Sequence, residues 1–255
     1  EHVPIVAEEG GPPLILPGHQ SRTNYPNHAS WASNNLLVTG SDETPVARIW
    51  SIPSGDLLRE IDLGDFAFFE SHPNGYLLAE VLEPPPPPWD STEFYHLRRW
   101  RLPDGEVEEL GTVDLASLGG HPSSGFTADG SGWFYTKGSE IYLRNLPIRP
   151  GVPDRFVGRH ENKLWWLSKS DALNRLWTRD AVTGELRLWD LSEPSGEPLR
   201  IIGRPAGLED GVPFSPLDFT GQCVHSITRE VRIWDSDGWP EARPQRLILL
   251  GSRTE

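Results

Sequence analysis

The sequence contains no methionine and one cysteine, Cys223, in 255 residues. A single thiol forms neither an intrachain disulfide nor a thiolate metal cluster, so a reducing, cytoplasmic compartment is the expected setting. Without methionine, Glu1 is no translation start, and the chain reads as a processed product or a piece of something longer. No apolar run approaches the ~20 residues that a membrane span needs. The formal charge of -14, from 37 acidic against 23 basic residues, repels phosphate backbones. The densest basic stretches, residues 96–101 and 243–246, are too short to form a stripe. Neither nucleic acid nor membrane is therefore an expected partner. G-x-S-x-G, Walker, H-E-x-x-H and Cys-x-x-Cys patterns are all missing, and "HEN" at residues 160–162 matches no motif. The motif case for catalysis, a metal or a cofactor is empty.

What the chain does have is turn residues and aromatics. Twenty-five Gly and 25 Pro accompany 11 Trp, nine Phe and five Tyr, a composition of short aromatic-rich strands joined by tight turns. "GWFYTKG", "LWTRD" and "EVRIWD" are such strands, and no segment sustains a helical period. Asn-Gly or Asp-Gly pairs ending at Gly75, Gly105, Gly130 and Gly238 mark turns between them. The predicted class is all-β.

Two markers then recur in step. The middle residues of Ile49-Trp50-Ser51, Arg99-Trp100-Arg101, Leu143-Arg144-Asn145, Leu188-Trp189-Asp190 and Ile233-Trp234-Asp235 lie 50, 44, 45 and 45 positions apart. The glycine closing the following apolar strand falls at Gly18, Gly64, Gly111, Gly158, Gly203 and Gly251. An accidental similarity loses phase through loop drift, so a shared period across the chain signals a repeat protein.

The segments "SDETPVARIWSIPSGDLLREIDLG", "TGELRLWDLSEPSGEPLRIIG" and "REVRIWDSDGWPEARPQRLILLG", with Gly-His pairs at Gly18-His19 and Gly120-His121, resemble the WD40 family. The resemblance implies a β-propeller in which each repeat is one four-stranded blade. It runs from about Pro13 onward and is divergent, since Trp-Asp is complete only at Trp189-Asp190 and Trp234-Asp235. About five blades are expected in residues 13–255, ending near positions 64, 111, 158, 203 and 251, with residues 1–12 as a flexible lead-in. "PPLILPG" duplicates the last strand "QRLILLG", so the strand at Leu14 to Leu16 is expected to be the outer edge of a blade whose inner strands lie upstream. That expectation places the chain in a larger ring of about seven blades.

The resemblance also implies a hydrogen-bonded set in each blade. In the first repeat it would draw on His19, Thr39 or Ser41, Asp42 and Trp50. Ser, His and Asp together invite a hydrolase reading, but buried polar groups satisfy one another to avoid a desolvation penalty, and the structural role is preferred. Trp50, Trp100, Trp189 and Trp234 are expected to be buried at equivalent positions, with Asp190 and Asp235 beside the last two. Arg144 stands in the tryptophan position of the third repeat and must be paired or reach the surface. In the second repeat Pro84 to Pro88, followed by Trp89, leave the sheet as a stiff polyproline II rod. Pro84, Pro86, Pro88 and Trp89 either pack back on the blade, the preferred reading, or dock in an aromatic groove of a partner.

The functional expectation is a non-catalytic interaction, scaffold or sensing module. It needs no cofactor or metal and binds a protein or peptide on the face that carries the loops, as a regulatory part of a larger protein. The alternative is a propeller enzyme that holds a cation or carbohydrate in an acidic central funnel.

Overall fold

The computed structural model describes residues 3–5, 14–16, 28–33, 35–41, 44–52, 54–64, 66–72, 74–83, 93–167, 174–202, 215–216, 222–227, 230–235 and 246–249. They fall into two compact units. The first unit, Glu1–His121 with Asp129–Gly132 and Asn145–Val152, opens with a two-stranded sheet of β1 (Val3–Ile5) and β2 (Leu14–Leu16). Blade 1 follows as β3 (His28–Ser33), β4 (Leu36–Ser41), β5 (Thr44–Ser51) and β6 (Leu57–Asp62). Blade 2 is β7 (Phe66–His72), β8 (Tyr76–Glu83), β9 (Phe94–Arg101) and β10 (Val107–Asp114), closed by the single turn α1 (Leu115–Leu118).

The second unit is Pro122–Ala128, Trp133–Arg144 and Pro153–Glu255. Blade 3 contains β11 (Ser124–Phe126), β12 (Gly132–Lys137), β13 (Glu140–Asn145) and β14 (Arg155–Arg159). Blade 4 contains β15 (Leu164–Leu167), β16 (Arg175–Asp180), β17 (Leu186–Asp190) and β18 (Arg200–Ile202). Blade 5 is β19 (Ser215–Pro216), β20 (Gln222–Ile227), β21 (Glu230–Asp235) and β22 (Arg246–Leu249). All five blades are four-stranded sheets, and in each the strands neighbour one another in chain order. Short connections dictate that meander: Gly75, for example, takes a φ of 78° that turns β7 into β8.

A blade alone leaves both faces wet, so the core forms between blades. Ala32, Val38, Ala47, Ile49, Ile61 and Leu63 of blade 1 pack on Phe69, Leu77, Ala79, Val81, Trp100 and Leu102 of blade 2. In the second unit Phe134, Ile141, Leu143 and Val157 of blade 3 meet Leu164, Leu176, Trp189 and Leu191 of blade 4. Burying each large side chain of these sets stabilises by roughly 1.5–3 kcal/mol, which a separate blade would forgo.

Trp50, Trp100 and Trp189 are buried. They occupy one register, opposite Leu37, Leu77 and Leu176, and the backbone of Trp234 takes the same register opposite Cys223. Between blades 3 and 4 the two repeat markers meet directly, at Gly158. A methyl group on Gly158 would overlap the Trp189 ring, so Gly158 on the outer strand of blade 3 is the seat for the tryptophan of blade 4, whereas at Gly64 the nearest side chain is Val81. At Gly111, Ile148 fills the equivalent space, 2.7 Å from where a Cβ would stand.

β2 repeats this arrangement ahead of blade 1. Leu16 is buried with Leu37 and Trp50, and Ile52 packs alongside. Leu16, Leu37, Trp50 and Ile52 thus correspond to Val157, Leu176, Trp189 and Leu191. The lead-in residues 1–12 contain β1, which pairs antiparallel with β2 through Val3–Leu16 and Ile5–Leu14.

Replacing Gly158 by Val should lower the unfolding free energy by roughly 1–3 kcal/mol through overpacking, measured by urea denaturation. Glu193→Ala, at an exposed turn, should change it by less than about 0.5 kcal/mol. Equal midpoints for the two variants would contradict the seat.

Candidate functional site

The site is a polar network inside blade 4. Trp189 on β17 opposes Leu176, and Thr178, two residues along β16, opposes Arg187, so the pleat places indole and hydroxyl on one face. Trp189 Nε1 donates to Thr178 Oγ1 at 2.7 Å. Thr178 Oγ1 also lies 2.6 Å from His160 Nε2. Because the oxygen accepts from the indole, the network assigns its own proton to His160 Nε2 and the imidazole proton to Nδ1. Nδ1 points toward Asp180 Oδ2 at 3.8 Å, an electrostatic contact beyond hydrogen-bond length. The imidazole also meets the Trp189 ring edge to face at 6.0 Å.

Asp180 ties this network to the turn between β16 and β17. Its Oδ1 accepts from the backbone N–H groups of Val182 and Thr183, both at 2.8 Å, and its carboxylate accepts from Asn162 Nδ2 at 3.2 Å. Burial opposes its ionisation, but the amides of Thr183 and Val182 and the Asn162 side chain hold the carboxyl below its ordinary range. Burial, followed by the Arg187 charge, lowers His160 to about 4 despite the attraction of Asp180. Thr178, His160 and Asp180 are all buried, so the threonine hydroxyl is sealed from any substrate in water. Asp190, the aspartate after Trp189, caps the next turn by accepting from Ser192 N at 2.8 Å and Glu193 N at 3.2 Å.

Other blades vary the theme. In blade 1, Trp50 Nε1 donates to Thr39 Oγ1 at 2.7 Å, and Thr39 is fully buried. Of Thr39 and Ser41, the indole uses Thr39. In blade 2, Ala79 takes the threonine position, two residues on from Leu77 opposite Trp100. Blade 3 replaces the set with Arg144, Tyr135 and Asp154. Arg144 Nε and Nη2 donate to the two carboxylate oxygens of Asp154 at 2.6 Å each, and Tyr135 donates its hydroxyl to the same group at 2.6 Å. The guanidinium lies over the Tyr135 ring, which stacks on Trp133 and Tyr142. Hydrogen bonding to Asp154 raises Arg144 further, while burial and then the Asp154 bond push the Tyr135 hydroxyl up. Arg144 is therefore a paired, half-buried cation.

His19, Asp42, Pro84, Pro86, Pro88 and Trp89 lie outside the described residues. Trp234 and Asp235 are on β21, their side chains likewise outside that set. At the start of β9, Tyr95 Oη sits 3.0 Å from His121 Nδ1, and His121 Nε2 sits 3.0 Å from Glu93 Oε2. Burial, with Glu80 and Glu93, pushes the Tyr95 hydroxyl up to about 12. His160, which matches no motif in the sequence, is the central residue that sequence reading passes over. The usable signal was Gly158-Arg159-His160, a glycine-histidine pair opened by one residue.

Among the described residues, no group of three or more His, Cys, Asp or Glu side chains is placed to hold a metal ion. Also among them, no helix is long and apolar enough to cross a membrane. The β-propeller domain of Cps50 (Swd1) from Myceliophteria thermophila superposes over 97% of this chain and 79% of its own, with a TM-score of 0.60 and 14% identity. The fold is that of a WD40-type β-propeller. No family model matches the sequence, and no curated protein does. Divergence from the repeat is visible in the propeller itself, where blades 2 and 3 substitute Ala79 and the Arg144–Asp154 pair for the threonine-linked set.

Two outcomes follow for blade 4. Thr178→Val, which strands the Trp189 donor and the His160 acceptor, should cost about 2–4 kcal/mol, and Thr178→Ser much less, as read by denaturant unfolding. Because His160 titrates at about 4 when folded and at about 6.5 when unfolded, the unfolded chain binds the extra proton between those values. Its contribution is intact above pH ~6.5 and is lost as pH falls toward ~4. His160→Gln should flatten the pH–stability slope in that window relative to the unsubstituted protein; an unchanged slope would contradict a neutral buried imidazole.

Proposed function

We propose that this propeller is a non-catalytic interaction scaffold that binds a protein or peptide partner on the face carrying the connections between second and third strands and the turns into each next blade. The observation that carries the reading is the burial of Thr178, His160 and Asp180. The residues most like a hydrolytic set bond one another inside blade 4, and the Thr178 hydroxyl is closed to a substrate. The loops, by contrast, present side chains to solvent. Val182, on the turn after β16, is 72% exposed, and the paired His121 and Glu93 are half exposed. Rigid blades with adaptable loops suit recognition of an extended partner surface. The lone Cys223 is consistent with work in a reducing, cytoplasmic compartment.

The test is a set of loop variants, Val182→Asp and Glu93→Ala with His121→Ala, compared by affinity capture from the native source and by thermal melting. The reading expects loss of a defined partner with no change in melting temperature. A titration with Ca²⁺ or Mg²⁺ addresses the rival class. Saturable stabilisation of roughly 2.7 kcal/mol at a hundredfold excess over Kd would favour a cation-binding enzyme and count against the scaffold.

A further inference from the structure

Of the eight asparagines in the chain, Asn74 alone is followed by glycine. The other seven precede residues with a Cβ, which crowds the backbone nitrogen that follows the asparagine. Asn74 and Gly75 turn β7 into β8, and Asn74 is exposed. Gly75 takes its φ of 78° because it has no side chain. Leu102 O, at 3.8 Å, is the nearest atom to the place where a Cβ would stand. The hairpin tip thus sets an exposed side-chain amide beside a backbone nitrogen with open space around its Cα.

Comparable positions elsewhere are held. Asp129, before Gly130, accepts at Oδ1 from Ser131 N at 3.0 Å and from Ser131 Oγ at 2.8 Å. Asp104, before Gly105, has its carbonyl engaged by Arg59 Nη1. Both also carry a carboxylate, a much poorer electrophile than an amide. Asn162 donates to Asp180. At Gly75 a single bond closes the turn, from Gly75 N to His72 O at 3.0 Å. That bond must open before the nitrogen can react, and an exposed hairpin tip opens locally at low cost.

We propose that Asn74 is a self-modification site, at which Gly75 N closes on Asn74 Cγ and water completes the conversion of the amide to a carboxylate. The Gly75 nitrogen, having lost its proton, bonds to Cγ as the Cγ–Nδ2 bond breaks, and Nδ2 takes up a proton and leaves as ammonia. Water then opens the five-membered imide. Cleavage at Cγ leaves aspartate, and cleavage at the main-chain carbonyl carbon leaves isoaspartate. One water is consumed and one ammonia released, with no change of oxidation state. Isoaspartate routes the main chain through the side-chain carbon and lengthens the turn by one atom. The Gly75 carbonyl accepts from Leu102 N at 2.8 Å, and Leu102 packs in the core between blades 1 and 2. Modification at the tip therefore loosens that packing slowly and in one direction.

The test incubates the folded chain in mildly alkaline buffer, beside a guanidinium-unfolded control, until the control has converted at Asn74. Digestion and mass spectrometry then follow all eight asparagines. The account expects the Asn74 peptide of the folded chain to gain the amide-to-acid mass shift first, as two products, and faster as pH rises. Asn74→Gln, whose longer side chain would have to close a six-membered ring, should abolish the shift there. In the isoaspartate fraction the Leu102 amide should exchange with deuterated solvent faster than in Asn74→Asp, which adds the charge alone. Asn74 intact in the folded chain at that point overturns the proposal, as does earlier conversion of another asparagine or aspartate as the single product. Equal Leu102 exchange in the two samples overturns the coupling to the core.

Discussion

The seating of Trp189 over Gly158 of the preceding blade is the contact on which the rest of blade 4 depends. Trp189 fits where Gly158 has no side chain, and that fit places its indole nitrogen against Thr178. From the hydroxyl the network runs to His160 and toward Asp180, which fixes the turn that returns the chain as β17. Packing between blades and turn geometry within a blade are thereby one problem. The repeat length of about 45 residues is the distance along the chain between successive positions of the register that Trp189 occupies.

Departures from the pattern show how much chemical latitude that position has. Blade 2 keeps Trp100 and replaces the hydroxyl by Ala79, relying on apolar contact with Ile61, Leu63 and their neighbours. Blade 3 gives up both and builds a bidentate ion pair, Arg144 with Asp154, sealed by Tyr135. A guanidinium stays charged at every physiological pH, whereas a buried imidazole must stay neutral to remain in place. Blades 3 and 4 hold equivalent positions by opposite electrostatic means, and of these two it is blade 4 that carries the acid sensitivity of a histidine.

The repeat was legible in the sequence because Trp50, Trp100 and Trp189 hold one strand register while the glycines close the outer strands, and at Gly158 the two markers meet by direct contact. Thr39 was less legible than Trp50, since Ser41 carries the same kind of hydroxyl at the same pleat parity. The register shift between Thr39 and Ser41 breaks that equivalence. His160 escaped notice because Arg159 separates it from Gly158, while its ring still reaches Thr178 from the connection before β15. β1 was missed for a different reason: three residues, one of them Pro4, carry too little periodicity to announce a strand. The partner was not legible at all, because loop residues such as Val182, Glu93 and His121 follow no repeat.

The most direct test of the central claim is exchange of the Trp189 indole Nε1 proton with deuterated solvent, followed by NMR. If the seat and its hydroxyl partner hold the blades together, that proton exchanges only when the unit unfolds globally, with the same opening free energy as the slowest backbone amides of β16 and β17. Exchange of the indole proton well ahead of those amides would show that Trp189 leaves its seat while the blades stay folded, and would contradict the account.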